Sequence, residues 1–426
     1  MRKIISITIS LAMTISLFSQ EEWTIMNSGI NEHLYDIFFT DKNNGWACGL
    51  LGDGKIIHTT DGGVTWELQH SQPSTLFKSI YFVDNQNGWC VARDQDFNGL
   101  VLHTVDGGET WESQSLPSTS PVYGVFFTDS ENGWATGGYS HPYPNVYTTA
   151  VIFSTNNGGQ TWELQYEQDY APIQTQIFFA NENKGFSIGD GSIRSTSDGG
   201  NSWSVSYSSQ SYSLSDITFV NENRGWVVGI YNGLPHAPAV IRTMDGGNTW
   251  TAETLSTFGE EKLNGVCFQD ELNGWAVGGE LYSNAYPVII RTTDGGDTWV
   301  SENPIVNQVL NGVWYANNNV WAVGRGGVII KKSLSAITSI ENENPETVFG
   351  IYPNPAVSVL NIDLAGGQGE IQSWKIYNSS GTVVLQSFNE SPKTRNIDVT
   401  SLSPDIYIFR LETNNTPVFK KFVIVK

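Results

Sequence analysis

The chain has 426 residues, 39% hydrophobic and 12% aromatic, which supplies cores for two or three domains and excludes a disordered chain. Its formal net charge of -21 sits in the body: residues 349–426 hold seven Lys/Arg and six Asp/Glu, leaving -22 for residues 1–348. An acidic body repels phosphate backbones and excludes nucleic acid as a partner, and three cysteines, Cys48, Cys90 and Cys267, without a CxxC pair exclude a disulfide framework or cysteine metal site.

The first predicted element is a secretory signal peptide over residues 1–20: Arg2 and Lys3, an apolar run broken by Ser and Thr, then polar Glu21 and Glu22. Beyond it no run of about eighteen uninterrupted apolar residues occurs, so no transmembrane segment is expected in the mature chain.

From residue 21 two motifs alternate. One is TTDGGVTW, residues 59–66, which returns as HTVDGGETW, STNNGGQTW, STSDGGNSW, RTMDGGNTW and RTTDGGDTW. The other is IFFTDKNNGWACG, residues 37–49, which returns six more times and ends as VWYANNNVWAVG. Each unit reads as an apolar strand, a turn of Asn, Asp and Glu, a second strand opening at Trp46, Trp89, Trp134, Phe186, Trp226, Trp275 or Trp321, a variable loop, a third strand, the DGG turn and a TW strand. Four antiparallel strands in about 40 to 50 residues make a propeller blade.

Spacing shows how the blades close. From each TW tryptophan to the next NGW aromatic the separations are 23, 23, 24, 23, 25 and 22, and Trp23 lies 23 residues before Trp46, in the same register. The seventh unit has three strands and no TW strand, so the segment around Trp23 is expected to supply its outer strand and remove an open edge. The predicted propeller spans residues 21–335.

In the glycine turns, Asp61, Asp106, Asn157, Asp198, Asp245 and Asp294 recur at one position. A short carboxylate there accepts backbone N–H bonds, and the paired glycines take positive φ. Six equivalent acids around a rim read as fasteners rather than catalysts. No cofactor is called for, and no histidine pair has metal-ligand spacing.

Length varies most between the second and third strands, on the face shared with the blade-to-blade connections, where ligand contacts favour loops on a rigid scaffold. Those loops carry Tyr139, His141, Tyr143 and Tyr147 in the third unit, Tyr231 and His236 in the fifth, and Tyr282 and Tyr286 in the sixth. These are the candidate ligand-binding residues, suited to stacking on a sugar or anchoring a protein; their other reading is solvated aromatics capping blade ends.

Residues 336–348 have the polar, acidic composition of a linker. Residues 349–426 read as short alternating strands of a small β-sandwich.

The S/T-x-D-G-G-x-T-W turn resembles the Asp-box, or bacterial neuraminidase repeat, of sialidases, sortilin-type receptors and xyloglucanases. Paired with F-x-D/N-x-x-x-G-W it is more similar to propellers related to the photosystem II stability and assembly factor. That resemblance implies a seven-bladed propeller that acts as a binding scaffold without known catalysis. The tail resembles the type A C-terminal sorting domain of type IX secretion, through Tyr352, Pro353, Asn354, Pro355, Gly381, Leu402 and Tyr407, with Asp405 where that family has glycine. It implies a secretion translocon as partner and a secreted or surface location; the other reading of the tail is an ordinary Ig-like binding module.

A sialidase-like glycoside hydrolase is the alternative. Its chemistry needs three converging arginines and a tyrosine nucleophile, whereas Arg242 and Arg291 share a repeat position with His58, His103, Ser154, Ser195 and Lys332, expected on an outer turn. The sequence therefore points to an all-β chain: a seven-bladed β-propeller closed by its N-terminal strand, then an Ig-like sandwich, non-enzymatic, binding a protein or glycan.

Overall fold

A computed structural model describes residues 22–144, 146–279, 286–334, 349–364, 373–378, 383–387, 396–412 and 418–425. The expected signal peptide and linker, Tyr282 and Gly381 lie outside the described residues. The chain divides into two compact units.

The first unit carries seven four-stranded antiparallel sheets, the blades of a propeller. Blade 1 runs outward through His33–Phe39, Gly45–Leu51, Asp53–Thr59 and Glu67–Pro73. Blade 7 is built from Leu310–Ala316, Asn319–Gly324 and Ile329–Ser333, and its fourth strand is Trp23–Met26, which pairs antiparallel with the third through Trp23 opposite Lys332 and Met26 opposite Ile329. The innermost strands of successive blades lie against one another, and blade 1 packs on blade 7.

Most seams between blades are filled by the same three aromatic positions. The last phenylalanine of an inner strand stacks on the NGW ring of the preceding blade, with centroids 3.7 Å apart for Phe82 on Trp46, 3.5 Å for Phe127 on Trp89 and 3.7 Å for Phe39 on Trp321. The TW tryptophan meets that phenylalanine edge-on, as Trp111 does Phe82 at 5.9 Å. Such pairs add about 0.5–1.5 kcal/mol each beyond the area they bury. The glycine of NGW follows from this packing: a Cβ on Gly45 would sit 2.4 Å from the Phe39 ring. Cys48, Cys90 and Cys267 are buried among these side chains as free thiols.

The second unit contains a three-stranded sheet in the order Phe349–Tyr352, Val359–Leu364, Asn396–Asp398 and a four-stranded sheet in the order Val383–Gln386, Ser373–Tyr377, Asp405–Glu412, Val418–Ile424. Their shared core includes Leu360, Ile376, Leu402, Tyr407, Phe409 and Phe422. Tyr407 donates its hydroxyl to the Ser403 carbonyl at 2.9 Å, and Asn354 Oδ1 accepts from Val423 N at 2.9 Å. Asp405 opens a strand, its backbone paired with Ile424.

Candidate functional site

The glycine turns are closed hydrogen-bond units. In the first, Asp61 Oδ1 accepts from Thr59 Oγ1 at 2.8 Å and Thr65 N at 2.9 Å, Asp61 Oδ2 accepts from Thr65 Oγ1 at 2.6 Å, and Gly63 N donates to Thr59 Oγ1 at 2.9 Å. Asp106, Asp198, Asp245 and Asp294 repeat the pattern. Asn157 keeps it too, Oδ1 accepting from Thr161 N and Nδ2 donating to Thr161 Oγ1. These bonds pull Asp61 and Asp106 down to about 2, the threonine hydroxyl being the largest cause in both. A carboxylate held so low and already accepting three bonds is a poor proton donor.

Most of these turns also tie two blades. The first glycine N–H donates to the inner turn of its own blade, as Gly62 N does to Asn43 O at 2.9 Å. Its carbonyl accepts the indole N–H of the preceding blade: Trp46 to Gly107 at 3.0 Å, Trp89 to Gly158 at 3.0 Å, Trp134 to Gly199 at 3.1 Å and Trp321 to Gly62 at 3.1 Å.

The position before the turn is a strand position, not the outer turn expected. His58 pairs with Trp46 and Arg242 with Trp226, and the seventh equivalent is Lys331, opposite Trp321, rather than Lys332. His58 and His103 stack on their indoles at 4.6 Å, and the Arg291 guanidinium lies 5.2 Å from the Trp275 ring centroid. Basic side chains spent on separate indoles do not converge on one substrate carboxylate.

The loop aromatics fall into separate groups. Tyr139, His141 and Tyr147 form one column continued by Tyr170, with successive centroids 4.8, 3.8 and 4.4 Å apart. It stands on the longest hairpin, Asn132–Ser140 with Thr148–Asn156. His141 Nε2 donates to Thr149 Oγ1 at 2.9 Å, because that hydroxyl is itself donated to Asp169 Oδ1 at 2.6 Å. Tyr143 at the hairpin tip and Tyr286 in blade 6 are exposed. Tyr231 packs on Tyr212 at 5.5 Å, and His236 Nδ1 lies 3.4 Å from the Tyr231 carbonyl.

None of these lines the cavity on the propeller axis, which has a volume near 640 Å³. Its wall takes at least one residue from the inner strand of every blade, among them Tyr35, Lys78, Tyr123, Thr175, Ser215, Asn264 and Asn311. Tyr35, Lys78, Tyr123, Thr175, Ser215 and Asn311 fall where the pairing register of the inner strand slips by one residue, between Leu34 and Asp36, Phe77 and Ser79, Val122 and Gly124, Gln174 and Gln176, Leu214 and Asp216, and Leu310 and Gly312. Such a bulge re-aims a side chain that regular pleating would send elsewhere. In blades 1 and 5 the next residue clasps the following blade: Asp36 Oδ2 accepts from Ile80 N and Asp216 Oδ2 from Val266 N, both at 2.9 Å, while burial raises these acids to about 6 and about 7.

The rim of the cavity includes Asp190 and Arg325, from turns between second and third strands. Lys78 Nζ lies 4.0 Å from the Tyr35 ring centroid, and burial lowers its pKa to about 8; Lys262 is lowered by burial as well. Among the described residues no cluster of three or more His, Cys, Asp or Glu is placed to hold a metal, and no helix is long and apolar enough to cross a membrane.

The family model for photosynthesis system II assembly factor YCF48 matches residues 15–165, 160–265 and 201–302. The chain belongs to the YCF48 family. Among solved structures, YCF48 bound to D1 peptide is 18% identical with a TM-score of 0.57, covering 74% of this chain and 97% of its own. YCF48 from Cyanidioschyzon merolae is 20% identical with a TM-score of 0.56, covering 73% and 98%. A GH74 xyloglucanase from Xanthomonas campestris, 12% identical with a TM-score of 0.51, covers 82% of this chain and 60% of its own. At these identities the likeness is one of fold. No curated protein matches the sequence. Residues 350–425 match the secretion system C-terminal sorting domain, so this YCF48-family chain carries a type IX secretion tail.

The axial residues carry a signal in the repeats. Each stands two positions before the Ile or Val that opens the inner-strand motif, as Tyr35 before Ile37 and Lys78 before Ile80. In that motif it is a polar column that changes from blade to blade.

Proposed function

We propose that this YCF48-family propeller is a non-catalytic binding scaffold, delivered outside the cell by its sorting tail, that takes a protein or glycan ligand at the axial cavity and surrounding loops. The observation that carries this reading is the cavity itself, to which every blade contributes a residue, most of them through a bulge. Five box carboxylates and one asparagine carboxamide are held in structural turns, and the basic residues beside them lie on indoles. A YCF48 structure with D1 peptide bound supports a binding role within the family.

Arrays of glycans and peptides probed with the full chain test the reading. Saturable binding weakened by Lys78→Met, with no product formed, is expected. Turnover of fluorogenic glycosides, sialosides included, that a cavity substitution abolishes would replace the scaffold with a glycosidase.

A further inference from the structure

The axial cavity is cationic inside an acidic protein. The chain has a formal net charge of -21, yet the cavity wall holds Lys78, Lys262 and Arg325 against a single acid, Asp190. Neither lysine ammonium makes an ion pair or hydrogen bond among the described residues. They are close enough for the charge on Lys262 to oppose protonation of Lys78. Asp190 attracts Lys262 without outweighing the effect of its burial, and Lys78 has no such acid, so the two partly dehydrated ammoniums still cost stability unless a further anion joins them.

The rest of the wall is neutral and hydrogen-bonding. Ser215 Oγ is buried without any hydrogen-bond partner. Asn264 donates Nδ2 to Leu310 O at 2.9 Å, which leaves its Oδ1 to accept. Tyr123 presents a ring in the same wall. A free hydroxyl, a free amide oxygen and an aromatic face suit a ring that carries hydroxyls, and the two lysines suit a carboxylate on that ring.

Resting on the scaffold reading above, we propose that the axial cavity binds a carboxylated sugar of the uronate type, its carboxylate between Lys78 and Lys262 and its hydroxyls on Ser215 and Asn264. The site holds the sugar without cleaving it.

Calorimetric titration of the full chain with a galacturonate trimer, the matching neutral galactose trimer and a peptide ending in glutamate tests this. The acidic trimer is expected to bind saturably, and the neutral trimer about a hundredfold more weakly, since two charge-assisted contacts are lost. Lys78→Met and Lys262→Met should each weaken the acidic trimer about tenfold or more without lowering the melting temperature. Ser215→Ala should weaken it as well, whereas Lys55→Met, which removes a surface partner of Glu32, should leave it unchanged. Equal affinity for both trimers, or no binding of the acidic one, overturns the proposal. Binding of the peptide alone also overturns it but leaves the scaffold reading standing, while release of free galacturonate would remove both.

Discussion

At the scale of single residues, the NGW indole shows how one donor sets a seam. Trp46, Trp89, Trp134 and Trp321 each find a box carbonyl in the next blade. Blade 7 has no glycine turn, and Trp275 Nε1, which faces it, is buried without a hydrogen-bond partner. Blade 4 solves the same problem by composition: Phe186 fills the position with a ring that has no N–H, stacked on Phe219 at 4.7 Å. Trp46→Phe and Trp275→Phe therefore remove similar volume but differ by one hydrogen bond. The first is expected to cost about 1 kcal/mol more than the second, because Gly107 O keeps its second donor, Gln69 Nε2 at 3.0 Å. Denaturant midpoints of the two variants measure the difference, and equal midpoints would deny the indole bond a role.

At the scale of the element, the box is a turn that reads its own carboxylate. The native Asp61 and Asp106 are held at about 2, below an ordinary aspartate near 3.8. A depressed acid stabilises the folded state above its ordinary value and loses that contribution as pH falls from about 4 towards 2. Asp106→Asn, which copies the bonding that Asn157 already shows, should change stability little at pH 7 and flatten the fall in melting temperature between pH 4 and pH 2. Asp106→Ala, which abandons the three bonds from Thr104 and Thr110, should cost about 1–3 kcal/mol at pH 7. The turn, its two motifs and the strand order were legible because period-2 alternation and glycine pairs recur at fixed offsets. The axial site was not, because a one-residue bulge defeats alternation: Lys78 and Tyr123 read as ordinary strand residues until the register slips beneath them. The same blindness to register misplaces Lys332 for Lys331. The loop aromatics were legible as residues, but their grouping was not, since Tyr170 joins the column of Tyr139, His141 and Tyr147 from the end of the fourth strand, where Asp169 pairs with Thr149.

At the scale of the whole propeller, the seam between blades 6 and 7 lacks the box that fastens most others and uses a different clamp. Glu302, just after the outer strand Val300–Ser301 of blade 6, accepts from Trp23 Nε1 at 2.7 Å through Oε2 and pairs with Lys332 Nζ at 2.6 Å through Oε1. Trp23 is buried, so one carboxylate, with little access to water, joins the third and fourth strands of blade 7 to blade 6. Removing residues 22–26 leaves Lys332 without its strand partner and exposes the backbone edge of Ile329–Ser333. Loss of one buried tryptophan alone costs about 3–5 kcal/mol, so the truncated chain should melt several degrees lower. If the loss comes from that open edge, a synthetic peptide of residues 22–31 added in excess should restore part of it by occupying the vacant fourth position, and a Trp23→Ala version of the peptide should restore less. An unchanged melt on truncation, or equal rescue by both peptides, would show that the propeller holds together without the indole clamp.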